Sequence, residues 1–164
     1  MLTEDHVARE LFRDGMSRLA GAVNIVTTMA ETGPVGFTAS AVCSVSDQPP
    51  TLLVCVNNGS SVAPAFRAAQ SLCVNTVGPR YAELARLFGG RTPMADRFAQ
   101  SVWHDGITGA PMLDEALVSF DCRVSERAEV ATHSVLFCRV VDVRMSVEDL
   151  RASVWFGRRF HELD

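Results

Sequence analysis

The chain opens with helical periodicity and then changes to patterns typical of strands. Its first apolar positions recur at spacings of one, three and four residues, which predicts one helix from about Glu4 to Gly21. The apolar positions on this helix are Val7, Leu11, Phe12, Met16 and Leu19. Val, Ile and Thr then predominate over 22–29, and the turn cluster 31–34 predicts a hairpin whose second arm is 36–46.

Further strands are predicted over most of the remaining chain. The continuous apolar run 51–56 is typical of a strand buried on both faces. After the polar turn 57–61, Pro64 suits the first turn of a helix over 62–70, with Ser60 or Ser61 as its N-cap. We expect a helix at 81–88, a flexible flap over the aperiodic segment 89–109, and strands at 71–77, 116–127, 132–145 and 152–156.

These elements predict a mainly β fold with a few short helices. Six or seven strands joined mostly by turns are typical of an antiparallel β-barrel. A Gly-x-Gly-x-x-Gly after a strand and a phosphate-loop motif are both absent from the sequence, which excludes the common nucleotide folds that depend on them. The length of 164 residues predicts a single domain over 1–164.

Charge and cysteine content narrow the class of protein further. The net charge of −4 argues against a nucleic-acid partner, and every basic residue is Arg, so an anion site would use guanidinium groups, hydroxyls or backbone N–H groups. Five cysteines without Cys-x-x-Cys spacing predict neither disulfides nor a metal site. The acidic N-terminus and the lack of a long apolar run predict a cytoplasmic protein without a membrane segment.

Two polar segments are candidates for ligand binding. Small residues at 38–41 would leave the strand backbone open to a flat ring, and the hydroxyls of Thr38 and Ser40 could read the polar edge of a flavin. The same composition is also typical of a strand that packs tightly against a helix. Hydroxyls and N–H groups of the 57–61 turn suit a phosphate, although helix capping explains the same serines.

Two further candidates lie in the second half of the chain. His133 begins a long predicted strand and could donate a hydrogen bond to a carboxamide or a ribose, or it could be an ordinary surface or core histidine. The segment 155–161 combines aromatic rings with two guanidinium groups, which stack on rings and pair with phosphates. The same segment could instead anchor the last strand by its aromatic side chains.

Four segments in this order resemble the short-chain flavin reductases of two-component monooxygenases: 36–50, 53–57, 72–75 and 155–161. The likeness is closest to the reductase component of 4-hydroxyphenylacetate 3-monooxygenase and covers nearly the whole chain. The resemblance implies a homodimeric split barrel of the FMN-binding, antiparallel Greek-key type, with the flavin near the subunit interface. It also implies an NAD(P)H-dependent reductase that supplies reduced FAD or FMN to a partner monooxygenase.

The resemblance assigns roles to particular residues. The flavin ring and ribityl chain would lie along Thr38, Ala39, Ser40 and Ala41. The phosphate side would be formed by Asn57, Ser60 and Ser61, with Asn75 on the adjacent strand. His133 matches a family histidine that faces the nicotinamide, and the segment beside it would be Phe156, Gly157, Arg158 and Arg159.

One departure from the family pattern concerns the phosphate. Many relatives place a basic residue beside the phosphate-side Ser or Thr, whereas here Ser60 and Ser61 are followed by Val62. We assign the missing charge to Arg91, in the predicted flap.

A flavin reductase needs little acid–base chemistry from the protein. Hydride passes directly between the two cofactors once their reacting atoms are held ~3–3.5 Å apart, so His133 is expected to position the nicotinamide. Two alternatives remain at this stage: a non-catalytic flavin-binding protein on the same barrel, and a structural barrel that binds neither cofactor.

Overall fold

The computed structural model describes residues 7–148 and 150–164, and strands predominate in it. Its helices are α1 (Arg9–Met16), α2 (Ala63–Ala68), α3 (Ala82–Gly89) and α4 (Met94–Phe98), with a 3₁₀ turn at Pro79–Tyr81. Its strands are β1 (Gly21–Ala22), β2 (Asn24–Ala30), β3 (Gly33–Ala39), β4 (Val42–Asp47), β5 (Pro50–Asn57), β6 (Ser71–Thr76), β7 (Trp103–Asp105), β8 (Pro111–Leu113), β9 (Val118–Val130), β10 (His133–Met145), β11 (Ala152–Phe156) and β12 (Arg159–Leu163).

The main sheet has seven antiparallel strands in the order β3-β2-β6-β9-β10-β5-β4. Its two edge strands, β3 and β4, are consecutive in the chain and are separated only by Ser40 and Ala41. The predicted arm 36–46 is therefore two strands, because the chain changes its partner from β2 to β5 at these two residues.

One face of the sheet forms the main core. On β5, Leu52, Val54 and Val56 are buried, while the residues between them are half-buried. The prediction that this strand is buried on both faces is wrong, because its other face is covered only in part. Burial raises the pKa of the Cys122 and Cys138 thiols, which act as small core side chains.

The C-terminal residues form a hairpin that belongs to a smaller sheet of order β1-β11-β12. The predicted strand 152–156 is confirmed as β11, whereas β12 was not predicted as a strand. The two arms pair Trp155 with Phe160 and Phe156 with Arg159 across a two-residue turn.

The segment 89–109 contains two short elements and is not a flap. Helix α4 places Arg97 and Phe98 in the interior, and the Phe98 ring lies 5.0 Å from that of Phe88 and 4.8 Å from that of Trp103. Helix α4 has five residues and β7 has three, so neither element is long enough to show a period in the sequence.

Helix α1 is shorter than predicted, and its predicted start at Glu4 lies outside the described residues. Its apolar side chains are exposed: Leu11 retains 65% of its accessible surface and Phe12 retains 60%. Among the described residues, no helix has the length and apolar character needed to cross a membrane.

Candidate functional site

A groove runs between the end of β3 and helix α3, which lie unusually close together. A Cβ on Gly36 would lie 2.8 Å from the Phe88 ring, so only glycine permits this approach without a shift of the ring. The Thr38 hydroxyl donates a hydrogen bond to the Ala85 carbonyl of α3 at 2.6 Å. This hydroxyl therefore holds the helix against the strand, and its proton is not free for a ligand.

The groove has two compartments that share Thr38, Ala39, Ser40 and Gly89 as a common wall. The first, here called the polar compartment, has a volume of about 320 Å³. Its other walls include Ala41, Asn57, Ser60, Ser61, His133 and Arg97. This compartment thus collects hydroxyl, amide, imidazole and guanidinium groups around an edge strand whose outer side is not paired with another strand.

The second, here called the aromatic compartment, has a volume of about 330 Å³. Trp155 and Phe160 line it as a cross-strand pair, with ring centroids 5.1 Å apart in an edge-to-face arrangement. The Arg86 guanidinium lies 4.8 Å from the centre of the Phe160 ring, a typical cation–π distance. The chemical character of this compartment suits a flat ring.

The 57–61 turn forms the polar end of the groove and is rigidly built. Asn57 Oδ1 accepts a hydrogen bond from Gly59 N at 2.9 Å, and the Ser60 hydroxyl donates to the Asn57 carbonyl at 2.8 Å. Helix α2 has Val62 as its N-cap, without a side-chain cap bond. The predicted capping role of Ser60 and Ser61 is therefore wrong, and the Ser61 hydroxyl has no partner among the described residues.

The same turn is tied to the β9–β10 hairpin. Asn58 donates from its backbone N to the Thr132 carbonyl and from Nδ2 to Glu129 Oε2, both at 3.0 Å. The buried Ser134 hydroxyl lies 2.6 Å from Asn58 Oδ1 and 2.7 Å from Glu129 Oε1. Hydrogen bonds from Ser134 first, and then from Asn58, hold the pKa of Glu129 below its ordinary value.

His133 reaches the polar compartment through this arrangement. It pairs with Asn57 in the β5–β10 ladder and is half-buried, and its Nδ1 lies 2.9 Å from the Thr132 hydroxyl. The remaining ring nitrogen, Nε2, makes no hydrogen bond with the described residues. The structure therefore brings His133 together with the predicted residues of both polar segments, 38–41 and 57–61.

Asn75 is placed elsewhere. It is fully buried in β6, where its Nδ2 donates to the Ile25 carbonyl at 3.0 Å and its Oδ1 accepts from Leu113 N and the Ser119 hydroxyl, each at 2.8 Å. Because its amide is committed to the core, we no longer count Asn75 among the flavin contacts.

The C-terminal residues predicted to contact the cofactor do not line the groove. The residues that line it lie one position further from the turn on each arm of the hairpin. Gly157 and Arg158 form the hairpin turn at positive φ, where Gly157 N donates to the Ser17 carbonyl and Arg158 pairs with Asp14 of α1. Phe156 and Arg159 flank that turn, and the rings that line the groove are Trp155 and Phe160. This hairpin and His133 line different compartments of the groove.

Arg91 is exposed and does not line either compartment. The arginines that do so are Arg86 and Arg97, which the sequence reasoning did not identify. The sequence carries no local signal for Arg97, which lies between Asp96 and Phe98 in a helix of only five residues.

A larger cavity of about 500 Å³ lies away from the predicted residues, between the 78–81 and 112–117 segments and the end of β10. Several of its charged groups are already paired: Arg80 with Glu115, and His104 with Asp114. Arg144, which also lines it, pairs with Asp142. The groove at β3 is therefore the better candidate.

Comparison with known proteins identifies the family to which the chain belongs. The family model of the flavin reductase like domain matches residues 16–164, so the chain belongs to that family. The resemblance drawn from four sequence segments is thereby confirmed, together with the class of enzyme, a flavin oxidoreductase.

Individual relatives cover nearly the whole chain. FMN reductase (NADH) RutF of Cronobacter sakazakii is 56% identical over 155 residues, which are 94% of this chain and 93% of the relative. A Haemophilus somnus protein assigned as a flavin reductase superposes with a TM-score of 0.92 at 43% identity, over 96% of this chain and 100% of its own. A homologue of nitrilotriacetate monooxygenase component B from Mycobacterium thermoresistibile superposes with a TM-score of 0.89 at 27% identity. The match covers 95% of this chain and 87% of that protein.

Glu129→Gln tests the tie between the turn and the hairpin. A carboxylate whose pKa is lowered by folding stabilises the protein above its ordinary pKa of 4.5, and this contribution is lost as pH falls through the lowered value. We expect the variant to unfold at a lower temperature than wild type at pH 7, and the difference to shrink below pH 4.5 in a series of thermal melts. Glu126→Gln, at an exposed position on the same strand, is the control. A difference that is constant across this range would contradict the tie.

Proposed function

We propose that this chain is an NADH-dependent FMN reductase whose flavin lies in the groove between β3 and α3. The observation that carries the proposal is the polar compartment, where Thr38–Ala41, Asn57, Ser60, Ser61 and His133 meet. NADH and FMN are chosen because the RutF relative is an FMN reductase (NADH) and is 56% identical to this chain.

The residues present suit a flavin mononucleotide in several respects. Each compartment is within the usual size of small-molecule sites, ~300–1,000 Å³. The small side chains of Ala39, Ser40 and Ala41 allow a ring to approach the backbone of an edge strand, which offers unpaired N–H and C=O groups. The Ser61 hydroxyl and the ordered 57–61 turn provide hydrogen-bond donors for a phosphate.

The protein contributes position rather than acid–base catalysis. When bound, the flavin and the nicotinamide supply the hydride chemistry themselves. The β3 backbone would line the flavin ring, and the 57–61 turn would bind its phosphate end. His133 is held by the β5–β10 ladder with Nε2 available to donate to the nicotinamide carboxamide.

Within the main sheet, the connection between β3 and β4 supports the finer description of the fold. Two strands at opposite edges of a seven-stranded sheet are joined by only two residues, so the sheet must curl until its edges approach each other. We infer an FMN-binding split barrel of the antiparallel Greek-key type that forms one flavin reductase domain.

The partner of this reductase would be a flavin-dependent monooxygenase that consumes the reduced flavin. The likeness to a homologue of a monooxygenase component B supports this assignment. An open groove that is bounded by an edge strand is suited to release of the flavin after reduction.

A homodimer is supported by α1, whose apolar face is not covered by the described part of the chain. Leu11 and Phe12 expose 65% and 60% of their accessible surface on this face, and Val7, just before the helix, exposes 64%. A second copy would remove this apolar surface from water.

Light scattering of the purified protein should therefore give a mass of twice 17.8 kDa. Phe12→Glu should shift the mass toward that of the monomer, because it places a charge on the apolar face of α1, whereas Glu10→Gln on the opposite face should not. A wild-type mass of 17.8 kDa at micromolar concentration would contradict the proposed homodimer.

The function is tested by following NADH oxidation at its absorbance band with and without FMN. We expect turnover that depends on FMN and is much slower with riboflavin. Flavin binding without NADH oxidation would favour a non-catalytic flavin-binding protein, and failure to bind either cofactor would leave a structural barrel.

His133→Ala tests the positioning role. The loss of one hydrogen bond to the nicotinamide should raise the apparent KM for NADH about fivefold. The KM for FMN should change far less. His104→Ala, which removes an exposed histidine of the other cavity, is the control. A larger increase in the KM for FMN than in the KM for NADH would contradict the positioning role of His133.

A further inference from the structure

The 57–61 turn supplies hydroxyl and amide groups to the polar compartment but no positive charge. Asn57, Ser60 and Ser61 are all neutral, and Arg91, the residue first assigned to this role, lies outside the compartment. A phosphate monoester is largely a dianion at neutral pH, so a nearby cation would strengthen its binding.

Arg97 is the charged side chain of this compartment that the proposed function has not used. It lies on α4 with 5% of its surface exposed, and it lines the same compartment as Ser60 and Ser61. Its Nε donates to the Thr92 carbonyl at 2.6 Å, its Nη1 to the carbonyls of Phe88 at 3.1 Å and Gly36 at 3.5 Å, and its Nη2 to that of Gly90 at 2.9 Å.

These contacts use four of the five N–H groups of the guanidinium. The second hydrogen of Nη2 has no acceptor among the described residues. The four bonds also fix the plane of the guanidinium, since they connect Arg97 to β3 and to the C-terminal end of α3. Because the guanidinium is already held in place, ligand binding would cost little further conformational entropy.

The charge of Arg97 is not neutralised by the described part of the chain. All four of its acceptors are carbonyl oxygens, and no carboxylate of the described residues lies within ion-pair distance. Burial lowers the pKa of Arg97, which reflects the cost of keeping this charge away from water. Buried charges in proteins are normally paired, whereas the described residues supply no counterion for Arg97.

We propose that Arg97 is the cation that binds the phosphate of FMN in the polar compartment, and that it makes the protein select phosphorylated flavin over riboflavin. The proposal rests on the proposed function and adds the residue that determines this selectivity. In this arrangement Arg97 and the Ser61 hydroxyl donate to the same phosphate, while the carbonyls around Arg97 hold its plane.

The test compares dissociation constants for FMN and for riboflavin, which differ only by the phosphate, measured by the change in flavin fluorescence. Wild type should prefer FMN. Arg97→Gln should reduce that preference by about tenfold or more, as expected for loss of a charge-assisted hydrogen bond, and leave the riboflavin constant within about twofold. Arg97→Lys keeps the charge but not the planar fork, so it should retain part of the preference.

Two further variants test whether the effect is specific to Arg97. Arg123→Gln removes an exposed arginine of β9 and should leave the preference as in wild type. Arg91→Gln tests the competing residue, and loss of the preference there but not in Arg97→Gln would overturn the proposal. Equal weakening of FMN and riboflavin in the Arg97 variants would also overturn it, because that result indicates a purely structural role.

Wild type provides a readout that does not depend on the folding of a variant. Inorganic phosphate should compete with FMN and not with riboflavin, and added salt should weaken only the binding of FMN. Equal effects on both flavins would contradict an anion site. If wild type binds neither flavin, the proposed function itself fails, which is distinct from the loss of selectivity alone.

Discussion

The close packing of α3 against β3 determines where the candidate groove lies. Gly36 allows the Phe88 ring to approach the strand, and the Thr38 hydroxyl bonds the Ala85 carbonyl. The two compartments share a wall along this contact, and Arg97 binds carbonyls on both the strand and the C-terminal end of the helix. A side chain at position 36 would separate these elements and displace the wall, the helix and the guanidinium together.

The polar end of the groove depends on strand register. Because Asn57 lies opposite His133 in the β5–β10 ladder, the turn after β5 and the start of β10 reach the groove side by side. Asn58, Glu129 and Ser134 then hold the turn to the hairpin through hydrogen bonds. The groups that would bind phosphate and nicotinamide thus come from segments far apart in sequence.

Local patterns in the sequence were enough to predict the turn between β2 and β3, the long strands β9 and β10 and the β-rich class, and to single out the polar segments 38–41 and 57–61 as candidates. Tertiary contacts explain most of the differences between these predictions and the structure. The partner change at Ser40 and Ala41 splits one predicted arm into two strands, and the interior environment of Asn75 becomes evident only when β6 is placed between β2 and β9. A two-residue turn at 157–158 would have paired Trp155 with Phe160, so these rings could have been identified from register.

A crystal structure with FMN is the most direct test that the groove between β3 and α3 is the flavin site. It should show the isoalloxazine along Thr38–Ala41 and the phosphate between Ser61 and Arg97. A structure in which protein side chains cover Thr38–Ala41 and the flavin lies elsewhere would contradict the account.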